Sequence, residues 1–221
     1  MRIALIPDKF KGSLSATQVC DAMESGIRAV YPKAEIRRFA ASDGGDGFLE
    51  AVRAVRPVEV VQVPVSDPVG REISASFLYD PKTGEAFVEM AKASGMELLS
   101  PRERNPIRTD TRGTGQLILR AVQRGARHIF VGLGGSGTND GGCGIASVFG
   151  YRFLDRNQQA LHPVGGNLER IAHIVPPEDL PLPEGVRITA VNDVNNPLWL
   201  SLIHISEPTR RRLESRCASW W

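Results

Sequence analysis

Three loops rich in glycine, carboxylates and small polar residues each follow an apolar, strand-like run of the chain. They cover residues 8–13, 42–47 and 132–144. In open parallel sheets, loops of this kind line the crevice at the carboxyl ends of the strands, where ligands bind. The sequence therefore predicts that the three loops converge on one site.

The third loop has the composition of a phosphate cradle. It holds seven glycines in residues 132–144 and leads into a predicted helix over residues 145–149. Glycines let backbone N–H groups approach an oxyanion, and the start of a helix adds partial positive charge. The candidate phosphate-binding residues are Gly134, Gly135, Ser136, Gly137, Thr138 and Asn139.

The same loop also fits a different cofactor. It contains a GxGxxG pattern that starts at Gly132, and Asp155 follows the next predicted strand about 20 residues further on, as in dinucleotide-binding proteins. The small polar and acidic side chains over residues 136–140 suit phosphate and Mg²⁺ better than a ribose. A P-loop is excluded because no GxxxxGK[ST] occurs. The residues alone leave open a nucleotide-phosphate site, a dinucleotide site and a simple tight turn.

The two shorter loops carry charge. Asp43 and Asp46 flank Gly44 and Gly45, and paired carboxylates suit Mg²⁺ or the orientation of a hydroxyl group. Acids at the start of a helix are also stabilising by themselves, and taken alone this motif favours that plainer interpretation. The first loop contains lysines and Ser13 before a predicted helix, a setting that could bind an anion.

The elements that must position these loops alternate between strand and helix. Residues 2–6 and 35–40 read as strands, and the helix between them has Ser13 or Ser15 as its cap. A further helix is predicted to run to about residue 56. This β–α–β order predicts a parallel sheet with helices on its faces. The apolar stripe of the first helix consists of Val19, Met23, Ile27 and Val30.

The predicted secondary structure in the middle of the chain differs from that at its ends. Residues 58–90 form β-rich segments separated by Pro- and Gly-containing turns, whereas helix and strand alternate again from Gly115 onward. A Pro-rich loop over residues 173–185 precedes a last strand over 186–191. We therefore predict an α/β fold: a parallel sheet with helices on both faces, Rossmann- or flavodoxin-like, plus a smaller mixed α/β region. The predicted divisions are 1–57, the first part of the α/β domain, 58–112, the β-rich region, 113–198, the glycine-rich-loop segment, and 199–221, a tail.

Composition excludes several classes of protein. The 221 residues are 42% hydrophobic, yet no apolar run approaches the roughly 20 residues that span a bilayer, and no signal-peptide core is present. The three cysteines are scattered and form no CxxC pair, which argues against a disulfide framework or a zinc site. We expect a cytoplasmic protein with no membrane partner.

The net charge is small, and it is concentrated at the end of the chain. Four arginines and two glutamates after residue 200 account for the whole net charge of +2, so the body of the protein has no basic signature for nucleic acid. The stretch 201–210 resembles translated sequencing-adapter DNA, and we expect residues 199–221 to be a non-native tail. A genuine basic tail that contacts an acidic partner is the alternative.

Six short motifs are spread over the chain: PDKFKGSLSA at residues 7–16, SDGGDG at 42–47, VEMA at 88–91, GTG at 113–115, GGSGTNDGG at 134–142 and DVNNPL at 193–198. Together they resemble the signatures of the bacterial glycerate kinase family, in the family's order and spacing, from residue 1 to about 198. Small departures are Gly137, where alanine is more usual, Gln116, where glutamate is usual, and Asn192, where cysteine is common. The larger departure is length, because family members continue well beyond this chain with further glycine-rich and acidic motifs.

The resemblance implies a glycerate kinase fold of two α/β domains around a cleft, with one domain incomplete here. It implies ATP-dependent phosphorylation of D-glycerate with Mg²⁺, the 2-position being favoured, and we expect this chain to be an impaired form. A NAD(P)-dependent oxidoreductase and a non-catalytic fragment are the alternatives, and the sequence is silent on oligomeric state. The implied catalytic candidates are Asp8, Asp43 and Asp193, the metal candidate is Asp140, and the further binding candidates are Lys11, Ser13, Gly44, Gly45, Asp46 and Asn196.

Overall fold

The computed structural model describes residues 1–7, 10, 13–39, 42 and 44–192. Within these ranges, no helix combines the length and the apolar character needed to cross a membrane. Several predictions concern residues outside the described ones, namely Asp8, Lys11, Asp43, Asp193, Asn196 and the tail 199–221.

The chain begins with a β–α–β unit whose two strands are parallel. Strand β1 (Arg2–Leu5) pairs with β2 (Glu35–Arg38), and helix α1 (Ala16–Val30) connects them. The helix begins at Ser15, whose Oγ accepts a hydrogen bond from the backbone N–H of Gln18 at 3.2 Å, while Gln18 Oε1 accepts one from Ser15 N–H at 2.8 Å. This reciprocal cap satisfies two N–H groups at the helix start. The predicted β–α–β order is therefore present.

The apolar stripe of α1 is only partly covered. Val19 is buried, but the exposed fractions of Met23 and Val30 are 42% and 69%. The 3.6-residue periodicity thus predicted the helix correctly without predicting which of its apolar side chains are buried.

A five-stranded mixed sheet forms the centre of the described structure. The strands are β3 (Glu59–Ser66), β4 (Glu72–Asp80), β5 (Glu85–Glu89), β6 (His128–Gly132) and β9 (Arg187–Val191). Their order in the sheet is β3-β4-β5-β6-β9. The first three strands are antiparallel neighbours, whereas β5, β6 and β9 run parallel.

The prediction of one parallel sheet beside a separate mixed region needs correction. Short turns join β3 to β4 and β4 to β5, and a short turn can connect only antiparallel strands. Strand β5 then pairs directly with β6 through the register Glu85 to His128. The β-rich segment and the glycine-rich segment consequently share one sheet, and the fold is mixed α/β. The predicted division boundaries stay a prediction.

Helices cover both faces of this sheet. Phe77 faces helix α4 (Arg112–Gln123), where it lies in a cluster with Leu117 and Ile129, all of them fully buried. Its neighbour Leu78 faces the opposite side and packs with Phe48 of helix α2 (Phe48–Val55). Successive strand residues point to opposite faces, so adjacent residues of β4 contribute to two separate cores.

The remaining elements lie outside the main sheet. Helices α3 (Ala91–Ser94) and α5 (Cys143–Val148) follow β5 and β6, and a two-stranded antiparallel sheet joins β7 (Arg152–Leu154) to β8 (His173–Val175). Residues 173–175, predicted as part of a loop, are therefore a strand. The predicted last strand is confirmed as β9.

The cap of α1 gives a stability prediction. Ser15→Ala removes the acceptor for Gln18 N–H, and we expect a loss of about 1 kcal/mol in the free energy of unfolding. Ser25→Ala, at an exposed position within the same helix, should leave stability unchanged or raise it slightly, because alanine has the higher helix propensity. Urea denaturation of both variants measures the difference. Equal stabilities would contradict the capping role.

Candidate functional site

Two of the three predicted loops meet at the carboxyl ends of β6 and β9. The backbone N–H of Gly134 donates to the carbonyl oxygen of Gly44 at 3.0 Å, and Leu133 N–H donates to Val191 O at 3.1 Å. A Cβ atom on Gly134 would overlap the Cα of Gly45. The acidic loop and the glycine-rich loop are thus joined through their backbones, with no room for a side chain between them.

Gly44 has a second reason to be glycine. Its φ is +89°, in the left-handed region, and a Cβ there would overlap the carbonyl group of Val191. Asp46 lies close by on the same loop, with its carboxylate next to Gly135. The structure therefore brings Gly44, Gly45 and Asp46 together with Gly134 and Gly135. Ser13 lies in the turn between Phe10 and Leu14, before α1.

The middle of the glycine-rich loop is held inside the protein. Gly137 N–H donates to Ser94 O at 2.8 Å, and the Thr109 hydroxyl donates to Gly137 O at 2.9 Å. The hydroxyl groups of Ser136 and Thr138 bond to each other at 2.8 Å and are buried. These side chains therefore stabilise the loop, and a ligand would meet mainly backbone groups.

Backbone N–H groups of the loop remain available for hydrogen bonding. Within the described part of the chain, five of them donate to no other group. Uncompensated N–H groups are rare in folded proteins unless they are solvated or bind a ligand. The five belong to Gly135, Ser136, Asn139, Asp140 and Gly141.

Asp140 uses its side chain to fix the end of this loop. It is 1% exposed, and its Oδ2 accepts hydrogen bonds from the N–H and hydroxyl of Thr111 and from Gly144 N–H, each at 2.8 Å. Its Oδ1 accepts one from Gly142 N–H at 3.1 Å. The carboxylate thus ties the loop to the start of α4. Its assignment as a metal ligand stays a prediction.

Glu89 has no role in the sequence-based prediction but contacts the site. This carboxylate, 1% exposed, accepts hydrogen bonds from the N–H groups of Gly47 and Leu49. A signal is present in the sequence, since Glu89 is the acidic last residue of an otherwise apolar strand end. The partners lie 40 residues earlier in the chain, which the pattern does not reveal.

A further buried carboxylate, that of Asp110, directly precedes Thr111, the residue that donates to Asp140. Asp110 accepts hydrogen bonds from the N–H and Nε of Arg112, both at 2.9 Å, and lies 3.8 Å from His162 Nδ1. Burial raises the pKa of Asp110 above its ordinary value, although the hydrogen bond from Arg112 N–H and the Arg112 charge act in the opposite direction. Burial, followed by the charge of Asp140, also raises the pKa of the Cys143 thiol, so this thiol is not an activated nucleophile.

The dinucleotide interpretation of the GxGxxG pattern is not favoured. That fingerprint requires the next strand to lie in the same sheet, beside the first. Here β7 pairs with β8 instead, and β6 has β5 and β9 as its neighbours. Asp155 caps a turn, where its Oδ1 accepts hydrogen bonds from the N–H groups of Asn157 and Gln159.

Fold and site together define an α/β protein with a glycine-built site at the carboxyl ends of its strands. The sequence model of the glycerate kinase family matches residues 3–199. The chain belongs to the glycerate kinase family.

Named relatives and a solved structure agree with this assignment. Glycerate kinase of Bacillus cereus is 38% identical over 198 residues, which are 90% of this chain and 52% of the relative. Glycerate 2-kinase of Escherichia coli has the same identity and coverage. A crystal structure of a protein provisionally named glycerate kinase 2, from Salmonella typhimurium LT2, matches with a TM-score of 0.73 at 38% identity, over 90% of this chain and 53% of that one. The chain spans about half the length of the curated relatives it matches.

The hydrogen bonds of Asp140 give a second stability prediction. Asp140→Asn removes the charge and places an NH₂ group among N–H donors. We therefore expect the free energy of unfolding to fall by about 2–4 kcal/mol. Asp155→Asn changes a turn carboxylate outside the main sheet and should cost under about 1 kcal/mol. Chemical denaturation of both variants gives the comparison. Equal losses would contradict a special role for Asp140 in the fold.

Proposed function

We propose that this chain carries part of the site at which ATP phosphorylates D-glycerate, with 2-phosphoglycerate as the favoured product. The observation that supports it most is the set of loop N–H groups without a partner among the described residues. Family membership makes a phosphorylated ligand the natural occupant. The reaction itself belongs to the whole family protein, of which this chain spans about half.

The charges around the loop are compatible with a phosphate. Two of the acidic groups near it, those of Asp140 and Glu89, are turned inward and accept hydrogen bonds from protein donors. Their negative charge is offset locally by these donors. The backbone N–H groups of Gly135, Ser136 and Asn139 can therefore favour an anion. We assign Gly134, Gly137 and Thr138 to shaping this surface.

Mg²⁺ bound to ATP needs few protein ligands, since it usually keeps several waters and takes one or two carboxylates. Asp46 is half-buried next to Gly135, a placement that suits such a contact. Asp43 is the neighbouring candidate from the sequence. The oxygens of Asp140 already accept four hydrogen bonds, so its contact with a metal would require these bonds to rearrange. The metal would neutralise phosphate charge during transfer.

The remaining roles are assigned from the family resemblance. In the reaction, a glycerate hydroxyl oxygen attacks the γ-phosphorus, the bond to ADP breaks, and the hydroxyl proton passes to a base. Asp193 is the first candidate for that base, and Asp8 and Asp43 are candidates for orienting the hydroxyl. Such positioning supplies most of the catalysis in phosphoryl transfer. Anionic groups of substrate or nucleotide are assigned to Lys11, Ser13, Gly44, Gly45 and Asn196.

The relatives guide the choice of product and the expected state of this chain. One relative at 38% identity is named glycerate 2-kinase, which supports transfer to the 2-hydroxyl. About half of the length of the relatives lies outside the matched region. We therefore propose that the catalytic activity of the 221-residue chain alone is impaired. We expect the reaction to take place in the cytoplasm, where ATP is abundant.

Activity measured with and without a second half tests the function. Residues 1–198 joined to the second half of a family member should release ADP in the presence of D-glycerate at about 1 s⁻¹ or faster, with the phosphorylated position identified by NMR. The 221-residue chain alone should show no measurable turnover. A joined protein that binds ATP but leaves glycerate unchanged would refute the proposed substrate.

A charge-removing substitution tests the acidic loop. In the joined protein, Asp43→Asn keeps the side-chain volume but removes a metal or hydroxyl contact, so we expect kcat to fall about 10²-fold with little change in stability. Glu50→Gln, an exposed change on α2, is the matched control and should leave kcat unaltered. If Asp43→Asn stays within a few-fold of the parent, the carboxylate serves only the start of the helix.

A further inference from the structure

Glu89 is a buried charge that the proposed reaction does not use. It is the last residue of β5, and its exposed fraction is 1%. Burying a carboxylate is costly unless several donors compensate it. Removing the carboxylate would leave its N–H donors without an acceptor, which is costly inside a protein. The donors that Glu89 accepts hydrogen bonds from therefore indicate its purpose.

Its hydrogen bonds supply a cap that helix α2 lacks. The N-cap residue Gly47 has a left-handed φ of +93° and no side chain to accept a hydrogen bond. Glu89 Oε1 accepts from Gly47 N–H at 3.2 Å, and Oε2 accepts from Leu49 N–H at 3.1 Å. Glu89, 40 residues after Leu49 in the chain, thus caps the helix in place of the Ser, Thr or Asp that usually occupies the N-cap position. The first turn of α2 is fixed to the end of β5.

The same strand end also carries the glycine-rich loop. Glu89 lies opposite Gly132 in the β5–β6 register, and Met90 N–H donates to Gly132 O at 3.0 Å. Two residues further on, Gly134 N–H donates to Gly44 O. Glu89 is therefore attached to both loops: to the acidic loop through α2, and to the glycine-rich loop through the sheet.

We propose that Glu89 is a positioning residue that holds the acidic loop against the glycine-rich loop, and so sets Asp46 beside the phosphate-binding N–H groups. The proposal rests on the proposed function for the identity of the ligand, but the coupling of the two loops can be measured without a ligand. Glu89 contacts the loops and not the reacting atoms.

Lys92 plays a smaller part. Its Nζ lies 3.6 Å from Glu89 Oε1, and its side chain is 44% exposed. A half-exposed ion pair at this distance is weak. The two backbone hydrogen bonds, and not the ammonium group, should therefore dominate.

Amide hydrogen exchange on the unaltered 221-residue chain gives the first test. If Glu89 couples the loops, the N–H groups of Gly47, Leu49 and Gly134 open together and their protection factors agree within about threefold. Independent opening of Gly134, with a protection factor differing by more than tenfold, would overturn the proposal. This measurement needs no variant and so does not depend on how a variant folds.

Substitution gives the second test. Glu89→Gln leaves at most one oxygen acceptor for the two N–H groups, and we expect exchange at Gly134 to accelerate about tenfold. Glu85→Gln is the matched control: it removes a carboxylate from the other end of the same strand, where Glu85 pairs with Arg56, and should leave Gly134 unchanged. Lys92→Met should change exchange at Gly134 by less than about twofold. If it reproduces the effect of Glu89→Gln, the backbone hydrogen bonds are not the cause and the proposal fails.

An ATP–Mg²⁺ titration, followed through the amide signals of Gly135 and Ser136, separates positioning from simple helix capping. We expect Glu89→Gln to raise the Kd at least tenfold and Glu85→Gln to change it less than twofold. If Glu89 were only a cap, exchange would accelerate at Gly47 and Leu49 while Gly134 and the Kd stayed constant, which would overturn the proposal. If the parent chain binds no ATP, the proposed function fails in this chain, and the exchange data alone decide the role of Glu89.

Discussion

The site depends on a backbone-to-backbone contact between two glycine-containing loops. Gly44 and Gly45 lie against Gly132 and Gly134 so closely that an added methyl group would overlap main-chain atoms. This contact fixes the distance between loops that follow β2 and β6, two strands of different sheets. A contact made only of backbone has no rotamers, so the relative position of the loops is set by the chain path itself.

Buried carboxylates reinforce this contact from both sides. Asp140 holds the far end of the glycine-rich loop to the start of α4, and Glu89 holds the acidic loop to the end of β5. Each is compensated by N–H or hydroxyl donors, which lets a negative charge be buried at an acceptable free energy. The N–H groups left over point to a site whose local field comes from the backbone.

Apolar periodicity and capping residues predicted the individual helices and strands well, but they did not predict which distant strands pair. Apolar periodicity and a cap at Ser13 or Ser15 predicted β1, α1 and β2, and the last strand β9 followed from a short apolar run. The pairing of β5 with β6 was missed because nothing in either strand specifies a partner more than 40 residues away. The same reason hid Glu89, whose partners are remote, whereas the meeting of Gly44 with Gly134 was predictable from two loops at strand ends. The GxGxxG pattern suggested a cofactor that the pairing of β7 with β8 does not favour.

The connectivity of the sheet has a consequence for the order in which the protein folds. Strands β3, β4 and β5 are joined by short turns, so their pairing closes small loops and can form early. The pairing of β6 with β9 closes a loop of about 60 residues, and the contact of Gly44 with Val191 closes one of about 150 residues. The entropy cost of closing these loops is offset only by contacts made at the same time. The antiparallel meander can therefore exist before the glycine loops meet. A nascent or partly unfolded chain would have a sheet and a core while still lacking the candidate site.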